Sequence, residues 1–308
     1  DGQGQGEQGA RRATCGGSGL VHLRRHAQHE KVLRLHVEQA DGLPGAGDQQ
    51  RVAHPQPLVE QSVIQGVTAA AQADDVDAAL AQAQHLDYIS ALTRLGVSVT
   101  ELPAEPDLPD SVFVEDTVLL FDELAVLTRP GAESRRAEVD AIAPAVQAVR
   151  KQVERISAPS TIDGGDVLRI GKRVFVGLSQ RSNQSAIDQL ADILKPFGYS
   201  VTAVPMQDCL HLKSAVTALS DDIVLINPDW VDAAYFKEYQ QIRVDEHEPH
   251  AANVVRIDTS ILMPLSFPKT QTIVEAAGYA VTAVDVSELQ KAEGAVTCCS
   301  VLFTQWAI

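Results

Sequence analysis

The sequence is poor in cysteine: its 308 residues contain four, Cys15, Cys209, Cys298 and Cys299. No two of them have the spacing of a zinc knuckle or a redox CxxC, so neither kind of site is expected. Adjacent cysteines rarely bridge each other, and so few thiols in a long chain are typical of a reducing compartment. We therefore expect free thiols and a cytoplasmic protein.

Long apolar runs and an excess of basic residues are also missing. No apolar stretch approaches the roughly 20 residues that cross a bilayer, and the first residues lack the features of a signal peptide. The 25 basic residues face 41 acidic ones, so the surface should repel nucleic acid and anionic lipid and attract small cations. Acidity also serves solubility alone, so charge does not decide the function.

The chain has two parts of different texture. Residues 1–61 are rich in Gly, Gln, Arg and His and show no sustained apolar period, so we expect a disordered or poorly packed extension there. Residues 62–308 show clear apolar alternation and regular helices, and we expect the functional domain there. Residues 51–60 make a poor first strand, so we expect the first repeat of the domain to be incomplete.

One pattern recurs in that domain: an amphipathic helix, a glycine at its end, and a strand of the form G-x-x-V-T. The glycines are Gly96, Gly198 and Gly278, which suit a left-handed helix end. Apolar hairpins alternate with these units: DTVLLFDELAVLT, DVLRIGKRVFVGLS and AVTALSDDIVLINP. Because such units stack around a common centre, the pattern predicts an α/β fold with radial modules and a pocket on its axis.

Acidic residues form two motifs near predicted strands. Asp110, Glu115 and Asp116 lie in LPDSVFVEDT, where carboxylates could serve glycoside hydrolysis, bind a metal or hold a guanidinium, or simply occupy a turn. Asp163 and Asp166 flank two glycines in IDGGDV, a spacing that suits either a close approach of backbone to a ligand or a tight turn.

Four other segments carry reactive or charged groups, and each alone is more often structural. His211 stands between leucines in LHLKS, and a lone histidine there is commonly a core residue. Alternation places Cys298 and Cys299, in GAVTCCSVL after Glu293, on opposite faces, so at most one lines a pocket. Arg135 and Arg181 follow hairpins and could bind a carboxylate through two parallel hydrogen bonds.

Taken together, PDSVFVEDT, TRPGAESRR, IDGGDVL, VGLSQRSNQ, LHLKS and GAVTCCSVL resemble the dimethylarginine dimethylaminohydrolase family in order and spacing. The resemblance covers residues 62–305. It implies the pentein β/α-propeller, with five ββαβ modules around a pseudo-fivefold axis, and hydrolysis of Nω-methylated arginine to citrulline without a metal or organic cofactor. The expected partner is a small cationic amino acid, and a homodimer stays open.

By the same resemblance, site roles are assigned to ten residues. Catalysis falls to Cys298 as nucleophile, His211 as acid and base, and Asp163 as its orienting carboxylate. The substrate guanidinium falls to Asp116 with Glu115 and Asp110, the substrate α-carboxylate to Arg135 and Arg181, and its α-amino group to the loop of Glu293. Val67, in IQGVT, matches a loop over the pocket.

Two other functions are compatible with these residues. An arginine deiminase or another guanidine-modifying enzyme would share the cysteine, the histidine and the acids but treat the terminal nitrogen differently. A propeller of this kind that only binds would be favoured by loss of Cys298 or His211, and both are present.

Overall fold

The computed structural model describes residues 59–65 and 76–306. The prediction for residues 1–61 lies outside the described residues except at its last three positions, which belong to a strand. None of the helices in this described part is long and apolar enough to cross a membrane.

Fifteen strands and six α-helices make up this part of the chain. The strands are β1 (Val59–Gln65), β2 (Ser98–Glu101), β3 (Val118–Leu120), β4 (Ala125–Leu127), β5 (Val153–Arg155), β6 (Val167–Ile170), β7 (Arg173–Leu178), β8 (Ser200–Pro205), β9 (Val216–Ala218), β10 (Ile223–Ile226), β11 (Gln240–Arg243), β12 (Val255–Ile257), β13 (Ser260–Pro264), β14 (Ala280–Val284) and β15 (Ser300–Trp306). The helices are α1 (Ala78–Arg94), α2 (Glu138–Val149), α3 (Gln184–Leu194), α4 (Leu212–Ala215), α5 (Pro268–Ala276) and α6 (Ser287–Lys291).

The strands form five sheets of three strands each, in the orders β3-β4-β5, β6-β7-β8, β9-β10-β11, β12-β13-β14 and β15-β1-β2. In every sheet the central strand pairs antiparallel with the first and parallel with the third. A helix joins the central strand to the third in four sheets, and a 3-10 turn does so between β10 and β11. These are the predicted ββαβ modules.

The module β15-β1-β2 takes strands from both ends of the domain. Its central strand β1 begins at Val59, and it runs antiparallel to β15 and parallel to β2. The expectation of an incomplete first module is therefore wrong as to its strands. The strand is Val59–Gln65, so it shares only its first two residues with the segment 51–60.

The modules surround a common axis. The first strands β3, β6, β9, β12 and β15 all contribute to the wall of one cavity of about 400 Å³, here called the axial cavity. Each of the five hydrophobic clusters is shared by two neighbouring modules. For example, Val301 and Phe303 of β15 pack with Val118 of β3, which closes the ring.

Helix ends follow the local sequence. Asp77 begins α1, and its carboxylate accepts hydrogen bonds from the N–H groups of Ala79 and Leu80. Asn183 begins α3 in the same way. The three predicted glycines, Gly96, Gly198 and Gly278, all have positive φ, at 85°, 77° and 97°. These turns direct the chain into the third strands of three modules, β2, β8 and β14, and leave the loops before the first strands to build a site.

Candidate active site

A second cavity gathers most of the residues predicted from the sequence, and we call it the site cavity. Its wall is formed by Asp110, Phe113, Asp116, Arg135, Asp163, Arg181, Leu210, His211, Ala292, Glu293, Gly294 and Cys298. Four of these, Asp116, Asp163, His211 and Cys298, lie just before the first strands β3, β6, β9 and β15. Because those strands surround the axis, their N-terminal ends deliver the four side chains to one end of the propeller.

Asp163 and His211 form a buried pair. The Oδ2 atom of Asp163 lies 3.2 Å from Nε2 of His211, and its Oδ1 atom accepts a hydrogen bond of 2.8 Å from the N–H of Gly131. Asp163 is fully buried and His211 is 7% exposed. With one oxygen fixed by backbone, the other can orient the imidazole, which is the geometry required of an acid and base with its partner.

The two glycines of IDGGDV allow close approach to other protein segments rather than to a ligand. A Cβ atom on Gly164 would lie 1.9 Å from the carbonyl oxygen of Glu115. A Cβ atom on Gly165 would lie 2.6 Å from Nδ1 of His211 and 2.9 Å from Oδ1 of Asp116. The N–H of Gly165 donates to that same oxygen at 2.9 Å. Glycine is therefore required at both positions for this turn to dock against the Asp116 segment.

Asp116, Arg135 and Glu138 form a buried network of charges. Nη1 of Arg135 donates to Oδ2 of Asp116 at 2.5 Å, and its Nε and Nη2 atoms donate to the Glu138 carboxylate at 2.7 to 3.2 Å. Burial alone would raise the pKa of Asp116, but the nearby charges of His211 and Arg135 lower this pKa to about 2. Asp116 is therefore ionised near neutral pH and can hold a cation.

The charge on His211 is stabilised by three carboxylates. Burial alone would lower its pKa, but Asp116, whose Oδ1 lies 4.0 Å from Nε2, and then the bond to Asp163 and the charge of Asp166 raise it to about 9. His211 is thus the imidazolium at neutral pH, the form that donates a proton.

The two adjacent cysteines are divided between cavity and core. Cys298 lines the site cavity, whereas Cys299 is 1% exposed and packs in a hydrophobic cluster with Tyr88 and Leu92. Burial, and then the charges of Glu115 and Asp116, raise the pKa of Cys298 to about 12. The thiol form therefore dominates at neutral pH until positive charge arrives beside the sulfur.

Glu115 does not line the site cavity. Its carboxylate accepts hydrogen bonds from Nζ of Lys213 at 2.5 Å and from Oγ1 of Thr297 at 2.7 Å, and it lies on the wall of the axial cavity. Its backbone N–H donates to the carbonyl oxygen of Cys298 at 3.1 Å. The structure thus places Glu115 next to the site, where it ties Cys298 to the Asp116 segment, and its role in holding the substrate stays a prediction.

The remaining predicted residues lie around the rim. Asp110 and Arg181 are half-buried and Glu293 is exposed, with a positive φ of 58°. Arg181 makes no ion pair within residues 59–65 and 76–306, and its backbone approaches Gly131 so closely that a Cβ there would lie 2.5 Å from its Cα. Val67 lies outside the described residues.

Sequence reasoning missed Glu138 and Lys213. Glu138 is predictable from its spacing, because it follows Arg135 by three residues. Side chains three residues apart lie on the same side of a helical turn and can form an ion pair. The partner of Lys213 is 98 residues away in sequence, and no local pattern signals it.

Within residues 59–65 and 76–306, one group of side chains could hold a metal ion. Asp116, Asp163 and His211 each offer one ligand atom, and these atoms lie within 4.8 Å of one another. The absence of a metal in the reaction stays a prediction.

Comparison with known proteins identifies the family. A sequence profile described as N,N dimethylarginine dimethylhydrolase, eukaryotic, matches residues 61–303. The chain belongs to the dimethylarginine dimethylaminohydrolase family. It is 37% identical over 244 residues to the Pseudomonas aeruginosa N(G),N(G)-dimethylarginine dimethylaminohydrolase, covering 79% of this chain and 96% of that one. The Streptomyces coelicolor protein of that name is 39% identical over 252 residues, covering 81% and 95%.

A solved structure supports the same assignment. It is a cysteine-to-serine mutant of the Pseudomonas aeruginosa dimethylarginine dimethylaminohydrolase, complexed with citrulline. It superposes with a TM-score of 0.73 at 35% identity and covers 79% of this chain and 98% of its own. The predicted pentein propeller and the predicted family are both confirmed.

Proposed function

We propose that this protein hydrolyses Nω-methylated arginine to citrulline and methylamine or dimethylamine, with Cys298 as the nucleophile. One observation carries the proposal: a single cavity joins a cysteine, an imidazolium oriented by a buried carboxylate, and a second buried carboxylate that is ionised. Membership of the family supports the reaction, and the relative solved with citrulline supports that product.

The first half of the reaction begins with charge pairing. Asp116 binds the substrate guanidinium, and the positive charge beside Cys298 favours loss of the thiol proton to solvent, which leaves the thiolate as the attacking form. The sulfur adds to the guanidinium carbon and pushes an electron pair onto nitrogen. His211 then donates its proton to the departing amine, because an amide anion cannot leave unaided. A covalent thiouronium adduct on Cys298 remains.

The second half regenerates the enzyme. His211, now neutral, takes a proton from a water molecule that attacks the same carbon. Collapse of the tetrahedral intermediate passes the hydroxyl proton to the Cys298 sulfur as the carbon–sulfur bond breaks, which restores the thiol and leaves a ureido group, so the product is citrulline. Asp163 keeps the imidazole oriented through both steps, since its other oxygen is fixed by Gly131.

For the other end of the substrate we propose Arg181 as the main partner of the α-carboxylate. Its side chain is on the cavity wall and has no ion pair in the described part of the chain. Arg135, predicted for the same role, already binds Asp116 and Glu138. We propose that Arg135 contributes to the carboxylate only after Nη1 releases Asp116 to the substrate guanidinium. The loop of Glu293 is proposed for the α-amino group.

The test is product analysis with the full chain. Asymmetric dimethylarginine, monomethylarginine and arginine are supplied separately, and citrulline is measured together with dimethylamine, methylamine or ammonia. We expect citrulline from the methylated substrates, no turnover by Cys298→Ser, and much activity in Cys299→Ser as the matched control. Turnover of arginine alone would identify a deiminase instead, and full activity in Cys298→Ser would overturn the mechanism.

A further inference from the structure

The second aspartate of IDGGDV, Asp166, is fully buried and bonded on both oxygens. Its Oδ2 atom accepts hydrogen bonds from the hydroxyl groups of Ser179 and Ser182, both at 2.6 Å. Its Oδ1 atom accepts from the N–H of Leu212 at 3.0 Å. Three hydrogen-bond donors converge on the Asp166 side chain, which suits the carboxylate, since a carboxylate only accepts. A protonated Asp166 would place its own O–H group opposite one of these donors.

Each of these three bonds leads directly to a residue of the proposed active site. The Ser182 hydroxyl also accepts from the N–H of Asp163 at 3.1 Å. The Ser179 hydroxyl accepts from the N–H of Arg181 at 2.9 Å. The third donor, the N–H of Leu212, belongs to the residue after His211. Asp166 is therefore the junction of three segments that are distant in sequence.

We propose that Asp166 is a positioning residue that holds Asp163, His211 and Arg181 in register, an inference that rests on the proposed function. It does not line the site cavity and does not touch the reacting atoms. Its contribution is to fix the backbone from which each of the three side chains extends. A displacement of about 1 Å in such groups can reduce turnover by about 100-fold.

Charge supports the geometry. Burial raises the pKa of Asp166 to about 6, against the opposing effect of His211 and of the bonds from Ser179 and Ser182. The carboxylate form therefore dominates above about pH 6. The negative charge of Asp166 also favours the imidazolium form of His211, so its removal should be visible at that ring even without substrate.

The two serines separate a positioning role from a general stabilising one. Ser182→Ala breaks the connection from Asp166 to Asp163 and so acts on the acid and base pair: kcat should fall while KM changes little. Ser179→Ala breaks the connection to Arg181 and so acts on substrate binding: KM should rise more than kcat falls. A merely structural role would lower the melting temperature of both variants without this division between kcat and KM.

The main experiment compares Asp166→Asn with Glu248→Gln in the full chain. Glu248 is a matched control, since it is a buried carboxylate that accepts two backbone bonds, from Lys269 at 3.0 Å and Thr270 at 2.7 Å, at the start of α5. We expect kcat to fall between about 10-fold and about 100-fold in Asp166→Asn and to stay near that of the unmodified protein in Glu248→Gln. Equal kcat and KM in the unmodified protein and in folded Asp166→Asn would overturn the proposal.

A second readout does not depend on turnover. The imidazole of His211 is titrated by NMR in the full chain without substrate, and its signal is assigned by its loss in His211→Gln. Loss of the Asp166 charge should lower the pKa of His211, whereas Glu248→Gln should leave it unchanged; an unchanged pKa in Asp166→Asn would overturn the proposal. If Asp166→Asn does not fold, the kinetics of Ser182→Ala decide, and a kcat equal to that of the unmodified protein would overturn the proposal. If no methylated arginine is hydrolysed, the proposed function fails while this titration still tests Asp166.

Discussion

The pH dependence of folding stability reports directly on the charge network around His211. The folded protein raises the pKa of this imidazole from 6.5 to about 9. At about 1.4 kcal/mol for each pKa unit, this difference corresponds to about 3 kcal/mol of preference for the protonated folded state. Below the unfolded value of 6.5 this stabilisation is fully present, and it is lost as the pH rises through about 9, because only the folded state still binds the proton in that window.

The perturbation that isolates this effect is His211→Gln. Urea unfolding of the unmodified protein and the variant is measured from about pH 6 to about pH 10, and the two free energies of unfolding are subtracted, so that titrating groups independent of His211 cancel. We expect the stability advantage of the unmodified protein to shrink by about 3 kcal/mol across this range. A difference that stays constant with pH would refute the reasoning, since it would mean that the folded state does not favour the imidazolium.

Three further outcomes follow from the site geometry. The rate of Cys298 alkylation by iodoacetamide is obtained by subtracting the rate measured with Cys298→Ser. This rate should keep rising with pH up to about pH 10, because the pKa of the thiol lies near 12. A plateau below about pH 9 would contradict this. Gly165→Ala should displace the His211 ring and so reduce kcat/KM by about 100-fold. Unaltered kcat/KM in this variant would contradict the prediction. Glu138→Gln removes the carboxylate that holds Arg135 and should lower the free energy of unfolding by about 1–3 kcal/mol in urea titrations; an unchanged value would show that the ion pair adds nothing.

Much of the fold could be predicted because each module repeats a local signal. The three hairpins and the glycines at 96, 198 and 278 are set by residues within one turn or strand. Two modules carry no such glycine: Arg150, in extended backbone, follows α2 before β5, and a 3-10 turn at Ala233–Phe236 replaces the helix between β10 and β11. The hairpin of β12 and β13 is not among the three predicted hairpins. Closure by β1 depends on pairing with β15 at the other end of the chain, which no local alternation reports.

The candidate site was predictable as a set of motifs but not as a network. One cavity does join Cys298, His211, Asp163 and Asp116. Each of these residues lies just before the first strand of a module, and those strands surround the axis. The partners of each charge were not predictable. Thr297 reaches Glu115 across 182 residues of sequence, a contact that no local motif signals, and the assignment of Glu115 to the substrate stays a prediction.

The same limit applies to Arg135 and Asp166. Arg135 binds Asp116, 19 residues earlier in the chain, as well as Glu138 beside it, and this engagement is invisible in a motif that predicts a carboxylate site. Asp166 appeared only as half of a glycine turn, yet its partners include the hydroxyl of Ser182 and the N–H of Leu212, 16 and 46 residues away. A ring of modules brings such segments together only once it has closed.

The central claim is that Cys298 forms the covalent adduct during hydrolysis of methylated arginine. The most direct measurement is mass spectrometry of the full chain, quenched in acid during turnover of asymmetric dimethylarginine, followed by fragmentation of the peptide that contains both cysteines. We predict a thiouronium adduct on Cys298, absent without substrate and absent from Cys298→Ser. Citrulline release with the adduct on Cys299, or with neither cysteine modified during turnover, would contradict the account.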